Sequence, residues 1–535
     1  MSFQNSINTV KEYRPIVLMI LDGWGINSSI EGNAIASAKT PYINYLKGNY
    51  PCIALQASGI SVGLSWGEPG NSEVGHMTIG SGMILYQNLP RINLAIQNGT
   101  FFTNPAYLEA MEYVKKKGSA LHLMGIISNG GVHGHTDHLF ALIEMAISSG
   151  IKKLFIHAFT DGRDTLPKSG EGFIEMLQEK LTESGIGKIA SIGGRYYGMD
   201  RNQNWDRIQK AYNSITGNGE NKATDPMQVI HDSYNQNVTD EFIVPTTIID
   251  EKGDPVGPVR EGDAIIFFNF REDRARQIAK SFIEEDFNGF PRDKKIRDLL
   301  FISTVSYEDG LNSDVAFPPQ KVVNPIAKVI SDTGKKQFHI AETEKYAHVT
   351  YFFNGGREEA FPGEDRMLVP SPQVSNYEET PEMSAAGVTE KVLNAISLNK
   401  YDFILINYAN ADMLGHTGNF SATVKAVESI DKCVGYVTKS VLERGGSLLI
   451  TSDHGNAEVM MDPKSGEVTT EHTDNPVPCF FVTPDNQKER TETQIMRHQS
   501  MVDGMLVDIA PTILALLNIP VPHDMVGNSL LDALK

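Results

Sequence analysis

Apolar residues along this chain come in short uninterrupted runs, separated by stretches that are apolar on one side only. "PIVLMILDG", "ALHLMGIIS", "KKLFIHAFTDG", "KIASIGGR", "DAIIFFNFR", "LLFISTVSY", "KQFHIAET", "YDFILINYA" and "GSLLITSDHG" each predict a strand buried on both faces. Between them, "HTDHLFALIEMAISSG" (135–150) and "FSATVKAVESIDKCVGYVTKSVLERGG" (420–446) space their apolar residues as helices do. The second runs into Gly445 and Gly446 just after basic Arg444, a helix stop. Strands alternating with helices predict an α/β fold with largely parallel sheets and helices on both faces. Polar segments 217–240 and 308–320, the latter with Pro318 and Pro319, predict loops that serve as insertions or linkers.

At 535 residues the chain exceeds one core, since a domain usually holds roughly 100–200 residues. Two domains are predicted. The net charge of −19 argues against nucleic acid and anionic membrane as partners, because either would be repelled. A local arginine cluster can still hold an anionic substrate. Cys52, Cys433 and Cys479 lie far apart with no CxxC spacing, which fits a reducing compartment. The N-terminal apolar run "IVLMIL" ends at Asp22, far short of the roughly 18 residues of a spanning helix. A cytoplasmic location is expected.

Several strand runs end in metal-binding residue types. "IVLMILDGWG" delivers Asp22, "FILINYANADMLGHTG" delivers Asp412 and His416, and "SLLITSDHGNAE" delivers Asp453 and His454; His472 follows in "EHTDNPVP". Singly, each has a plain explanation: a turn aspartate, a surface Asp–His pair, a loop histidine. Ligands of parallel sheets gather at the carboxyl ends of strands, so the set can converge there. Mixed carboxylate and imidazole donors suit zinc, manganese or iron; oxygen-rich sites lean to manganese or magnesium. Such a cluster gives meaning to "WGEPGNSEVGHMTIGSG" (66–82), where Ser72 is either a helix N-cap or a nucleophile. A serine hydroxyl is inert near neutral pH unless something stabilises its alkoxide, and paired cations can do that.

A second chemistry lies between the metal-ligand segments. "FTDGRDTLP" carries Arg163 and Asp164, "GGRYYGMDRNQNW" Arg195 and Arg201, and "FFNFREDRARQ" Arg271 and Arg274, the last pair predicted one turn apart at a helix start. Arginine grips phosphate and carboxylate through paired N–H groups, so the group predicts an anion pocket rather than scattered surface charge. "ISNGGVHGHTDH" adds His133, His135 and His138, which fit a metal site, a phosphate contact or the following helix. Ligands near both chain ends with arginines between them predict one domain built from both termini and a second inserted into it.

In order and spacing, "LDGWG", "PGNSEVGH", "SNGGVHGH", "TDGRDT", "GRYYGMDR", "FFNFREDRARQ", "NYANADMLGHTG", "TSDHGNAE" and "EHTDNPVP" closely resemble the cofactor-independent phosphoglycerate mutases, alkaline-phosphatase-like metalloenzymes. The resemblance implies a metal-binding phosphatase-like domain over 1–86 and 321–535, and an inserted transferase domain over 87–320. It implies an isomerase of glycolysis and gluconeogenesis, a monomer, interconverting 3-phosphoglycerate and 2-phosphoglycerate through a phosphoserine at Ser72 without bisphosphoglycerate. Asp22, Ser72, Asp453 and His454 would hold one manganese or magnesium ion, and Asp412, His416 and His472 another. His133, Arg163, Asp164, Arg195, Arg201, Arg271 and Arg274 would bind substrate, with Asp164 moving the proton. Lys345, in "AETEKYAHVTYFFNGG", would contact the phosphoryl group, though an isolated lysine after acidic residues reads as surface charge. Pro69 and Asn129 depart from the common pattern without touching the reactive residues. A phosphomonoesterase, or a mutase of pentose phosphates, could use the same serine and cations. A silent metal-binding scaffold would need the ligands without Ser72.

Overall fold

Every apolar run named above forms a strand, and its place in a sheet explains why both its faces are apolar. The computed structural model describes residues 11–292 and 296–535. The described residues divide into two units, residues 88–319 forming one and residues 11–87 with 320–535 the other. Each is built on an eight-stranded sheet.

In the unit made from both chain ends, the strands run from edge to edge as Glu364–Val369, Gln337–Glu342, Phe403–Tyr408, Ile16–Leu21, Ser447–Thr451, Val477–Val482, Cys52–Gln56 and Val502–Met505. All pair in parallel except Val477–Val482, which is antiparallel to both neighbours. Ile16–Leu21 shows what the pattern achieves. Its alternate residues Ile16, Leu18 and Ile20 enter one apolar core, while Val17, Met19 and Leu21 enter the core on the opposite face. Register matters at its end: Leu21 pairs with Tyr408 and Ile20 with Thr451, so three adjacent strands stop at one level.

The other unit orders its strands Asp314–Val315, Leu300–Ser303, Ala264–Phe267, Leu121–Ile126, Leu154–Thr160, Lys188–Gly194, Thr246–Ile248 and Asn221–Ala223. Here too one pairing is antiparallel, between Lys188–Gly194 and Thr246–Ile248. A buried polar chain crosses the sheet: Ser191 donates to His157 Nδ1 at 2.8 Å, His157 Nε2 to His122 Nδ1 at 3.0 Å, and His122 Nε2 to Asp263 at 3.2 Å. Only this order gives each atom a partner of the right kind. Burial holds both imidazoles below the usual histidine range, which keeps them neutral and suited to it.

Helices Thr136–Ser148 and Phe420–Glu443 form where periodicity places them. Two expectations need correction. Residues 217–240 are not a plain loop: they hold the strand Asn221–Ala223 and the helix Pro226–Asn235, started by the Asp225 side chain accepting from Met227 N at 3.0 Å. Arg271 and Arg274 do not sit at a helix start. Arg274 lies in a turn closed by Ala275 N on Glu272 O, Arg271 just precedes that turn, and the helix begins only at Arg276. No helix among the described residues is long and apolar enough to cross a membrane.

His157→Leu should leave the Ser191 hydroxyl and His122 Nδ1 without partners inside the sheet. The expected loss is about 1–3 kcal/mol, read as a lower midpoint in urea or thermal unfolding.

Candidate active site

Four neighbouring strands of the terminal-built sheet deliver its functional side chains at their carboxyl ends. Lys345 follows Gln337–Glu342, Asp412 and His416 follow Phe403–Tyr408, Asp22 follows Ile16–Leu21, and Asp453 with His454 follow Ser447–Thr451. Gly23 turns the chain at φ 74° so close to Asp412 that an added Cβ would stand 2.6 Å from its Cα. Ser72 arrives from elsewhere, as the first residue of the helix Ser72–Ser81. Its neighbour Asn71 is the N-cap and accepts from Val74 N at 3.0 Å, so capping does not consume the Ser72 hydroxyl. Gly75 lets this helix lie on the Asp453 backbone, where a Cβ would meet the carbonyl oxygen at 2.7 Å.

These residues meet. Ser72 Oγ is 2.9 Å from His454 Nε2 and 3.2 Å from Asp22 Oδ1. Lys345 Nζ donates to Ser72 Oγ at 2.7 Å, to Asp22 at 2.7 Å and to Asp412 at 2.6 Å. Asp412, His454 and His472 form one cluster with metal-ligand spacing, and Asp22, Asp453 and His454 another, so His454 belongs to both. His416 joins the first, with Nε2 3.2 Å from Asp412 and 3.0 Å from His472 Nε2.

The residues fit divalent cations. His416, His454 and His472 each turn Nδ1 onto a backbone carbonyl, of Thr470 (2.8 Å), Gly455 (3.2 Å) and Gly70 (2.8 Å). A carbonyl can only accept, so Nδ1 holds a hydrogen and Nε2 is the atom turned to the cluster, where a bound cation would take the place of any proton it carries. Asp453 Oδ2 is buried without a hydrogen bond. Buried carboxylates also draw positive charge from the protein itself. Burial works against the Lys345 ammonium, yet Asp22, Asp412 and Asp453 together push its pKa above the usual lysine value. Against the same penalty of burial, Asp453 and its neighbours push His454 up to about 10. Asp412 and Asp453 are held far below the usual carboxylate range; Lys345 dominates for Asp412 and His454 for Asp453 once burial is overcome.

Four supporting residues carry no assignment from the sequence, although the quoted motifs contain all of them. Asn407 Nδ2 donates to Asp22 at 2.8 Å, and Asn456 Nδ2 to Asp412 at 3.0 Å. His76, one helical turn after Ser72, donates Nδ1 to Ser72 O at 2.9 Å and lies 3.1 Å from Asp453. Glu458 accepts from the backbone of Gly25 and Asn456 and from the side chains of Thr473 and Asn475, tying the His454 loop to the His472 loop.

In the unit of residues 88–319, a second site uses the carboxyl ends of four adjacent strands in the same way. Arg195 is 2% exposed and donates to both Asp161 and Asp164. Asp161, which the sequence left without a role, also accepts from Ser128 and from the backbone of Arg163 and Asp164. Those hydrogen bonds lower its pKa although burial opposes them. Arg201 pairs with Asp273 at 2.9 Å, and Arg271 with the same carboxylate at 3.1 Å. Arg274 donates to Met199 O at 3.2 Å; burial, then Arg195, Arg201 and Arg163, lower its pKa, a mark of crowded positive charge. Arg163 is more open and pairs with Glu241 at 3.4 Å. His133 lies 3.9 Å from Asp164 and 3.7 Å from Asp273, and burial, reinforced by Arg195, brings its pKa down to about 4. His135 and His138 belong to the following helix: His135 caps it and His138 reaches Asn93 at 2.8 Å.

Both parts of the chain resemble known proteins. Residues 92–309 match the family model described as BPG-independent PGAM N-terminus, and residues 302–494 match that of type I phosphodiesterase / nucleotide pyrophosphatase. A 2,3-bisphosphoglycerate-independent phosphoglycerate mutase of Chloroflexus aggregans is 48% identical over 538 residues, covering 97% of this chain and 98% of its own. One from Methanosarcina acetivorans is 49% identical over 519 residues, covering 97% and 98%. A solved structure of Leishmania mexicana phosphoglycerate mutase at low cobalt concentration, 29% identical, covers 97% of this chain and 98% of its own with a TM-score of 0.51. Fold and site therefore define a divalent-metal-dependent intramolecular phosphotransferase, an isomerase. The chain belongs to the 2,3-bisphosphoglycerate-independent phosphoglycerate mutases.

If Asp412 is a cation ligand, manganese should raise the melting temperature of the wild-type chain, and Asp412→Asn should lose most of that rise. A thermal scan with and without the metal measures both.

Proposed function

We propose that the interconversion of 3-phosphoglycerate and 2-phosphoglycerate, the reaction of this family, runs here through a phosphoserine at Ser72. One observation carries the reading: a buried serine hydroxyl is in contact at once with Asp22, His454 and Lys345. Asp22, Ser72, Asp453 and His454 would hold one divalent cation, and Asp412, His416 and His472 the other, manganese or magnesium. When bound, the pair supplies the positive charge that makes the serine oxygen nucleophilic and neutralises phosphoryl oxygens. Residues 1–86 with 321–535 act as the phosphatase-like domain and 87–320 as the transferase domain.

Ser72, its proton released to solvent as the cations bind, would attack phosphorus through Oγ while the bond from phosphorus to the glycerate 3-oxygen breaks. In the return step the 2-oxygen attacks phosphorus and the Oγ–phosphorus bond breaks. Lys345 stands beside Oγ as a positive charge for the transferred group. The helix Ser72–Ser81 turns its positive end toward the same point. Arg163, Arg195, Arg201, Arg271 and Arg274 with His133 hold the retained glycerate by its carboxylate and hydroxyls. Asp164 gives a proton to the departing 3-oxygen and takes one from the 2-hydroxyl as that oxygen receives the phosphoryl group. Arg195, shared between Asp161 and Asp164, orients the proton carrier. The buried thiols of Cys52, Cys433 and Cys479 suit the reducing cytoplasm.

Ser72→Ala is expected to abolish 2-phosphoglycerate formation, by at least a thousandfold, with the melting temperature nearly unchanged. Turnover near wild type in that variant refutes the nucleophile. Incubation with 3-phosphoglycerate without bisphosphoglycerate separates the readings: 2-phosphoglycerate without free phosphate is the mutase, and net phosphate release is the phosphomonoesterase.

A further inference from the structure

We propose that Asp273 is an internal stand-in for the substrate's carboxylate, seated on the arginines that bind substrate and displaced when substrate arrives. The inference rests on the reading of the arginine cluster as the glycerate-binding site. It assigns Asp273 a role in setting affinity rather than in chemistry.

Arg201 and Arg271 are each about half exposed, and both direct their guanidinium groups at the one carboxylate of Asp273. A carboxylate held by two arginines is the contact that glycerate itself requires. Asp273 thus presents the same functional group to the same donors. Its fit is incomplete. Asp273 Oδ1 is ion-paired with Arg271 but makes no aligned hydrogen bond, and His133 Nδ1, buried and 3.7 Å away, has no hydrogen-bond partner either. Two buried polar atoms that face each other beyond hydrogen-bond distance are a compromise that a better-placed ligand would resolve. Asp161 forms the contrast. It is almost wholly buried and fully hydrogen-bonded, to Ser128, Arg195 and two backbone N–H groups, which suits a fixed part of the scaffold.

The arrangement has a physical reason. With Arg163, Arg195 and Arg274 close by, the cluster carries several positive charges whose mutual repulsion opposes its assembly. A resident carboxylate holds Arg201 and Arg271 in place until an anion takes over. The same carboxylate must be pushed aside for binding, so its charge weakens affinity for substrate. Phosphoglycerate brings a carboxylate together with a phosphate of about −1.5 to −2, and that charge offsets the cost of displacing Asp273.

Binding of equilibrated 3- and 2-phosphoglycerate to the full-length, manganese-loaded protein, measured by titration calorimetry, tests the idea. Asp273→Asn should tighten Kd roughly three- to tenfold, Asp273→Glu should bind as wild type does, and Arg271→Ala should weaken binding at least tenfold. If Asp273→Asn does not fold, as judged by its thermal transition, Asp273→Ser carries the same comparison. Unchanged or weaker binding in the neutral variant, with Arg271→Ala still impaired, overturns the stand-in and makes Asp273 a plain structural partner. Wild-type binding by Arg271→Ala overturns the glycerate-binding reading and the stand-in with it.

Discussion

Three carboxylates, of Asp22, Asp412 and Asp453, are buried around Lys345 and His454, both of which touch the Ser72 hydroxyl. Buried like charges repel, and each loses its hydration, so the arrangement persists only with compensating positive charge. The protein supplies some through Lys345 and His454, whose pKa values are raised for that reason. The imidazoles of His416, His454 and His472, with Nδ1 occupied by carbonyls, are arranged to accept more from cations. Strand register, the Gly23 turn and the close seat of Gly75 on Asp453 all serve to keep this anionic group together.

The unit of residues 88–319 poses the inverse problem. Its sheet edge gathers guanidinium groups, and Asp161, Asp164 and Asp273 hold them. Asp161 is locked by hydrogen bonds and Asp273 is not. Both sites are built at the carboxyl ends of parallel strands, where backbone N–H groups and loops converge without disturbing the ladders. The carboxylate–imidazole cluster and the arginine cluster thus belong to separate sheets, each with its own core.

Much of the site is legible in the residues alone. Strand runs followed by Asp22, Asp412, Asp453 and Arg271 are legible only as a set, because several apolar runs that each lead into charged residues can converge at the carboxyl edge of a parallel sheet. Lys345 is not legible on its own residues, since burial and its three acidic neighbours come from segments far away in sequence. Asn407, Asn456, His76 and Asp161 escape for a related reason: an amide or carboxylate that orients a ligand looks no different from one that faces water. The antiparallel strand Val477–Val482 and the edge strands Asn221–Ala223 and Asp314–Val315 escape because short or mixed segments lack a period long enough to read.

By itself, the sequence determined the α/β class, the strands that would be buried on both faces, and the residue types available for metal and anion chemistry. These follow from local periodicity and from which side chains can bind what. Only the tertiary structure decided that His454 belongs to both clusters, that Asn71 rather than Ser72 caps the helix, and which carboxylate each arginine meets. Those outcomes depend on distances between segments hundreds of residues apart, and no local pattern encodes a distance.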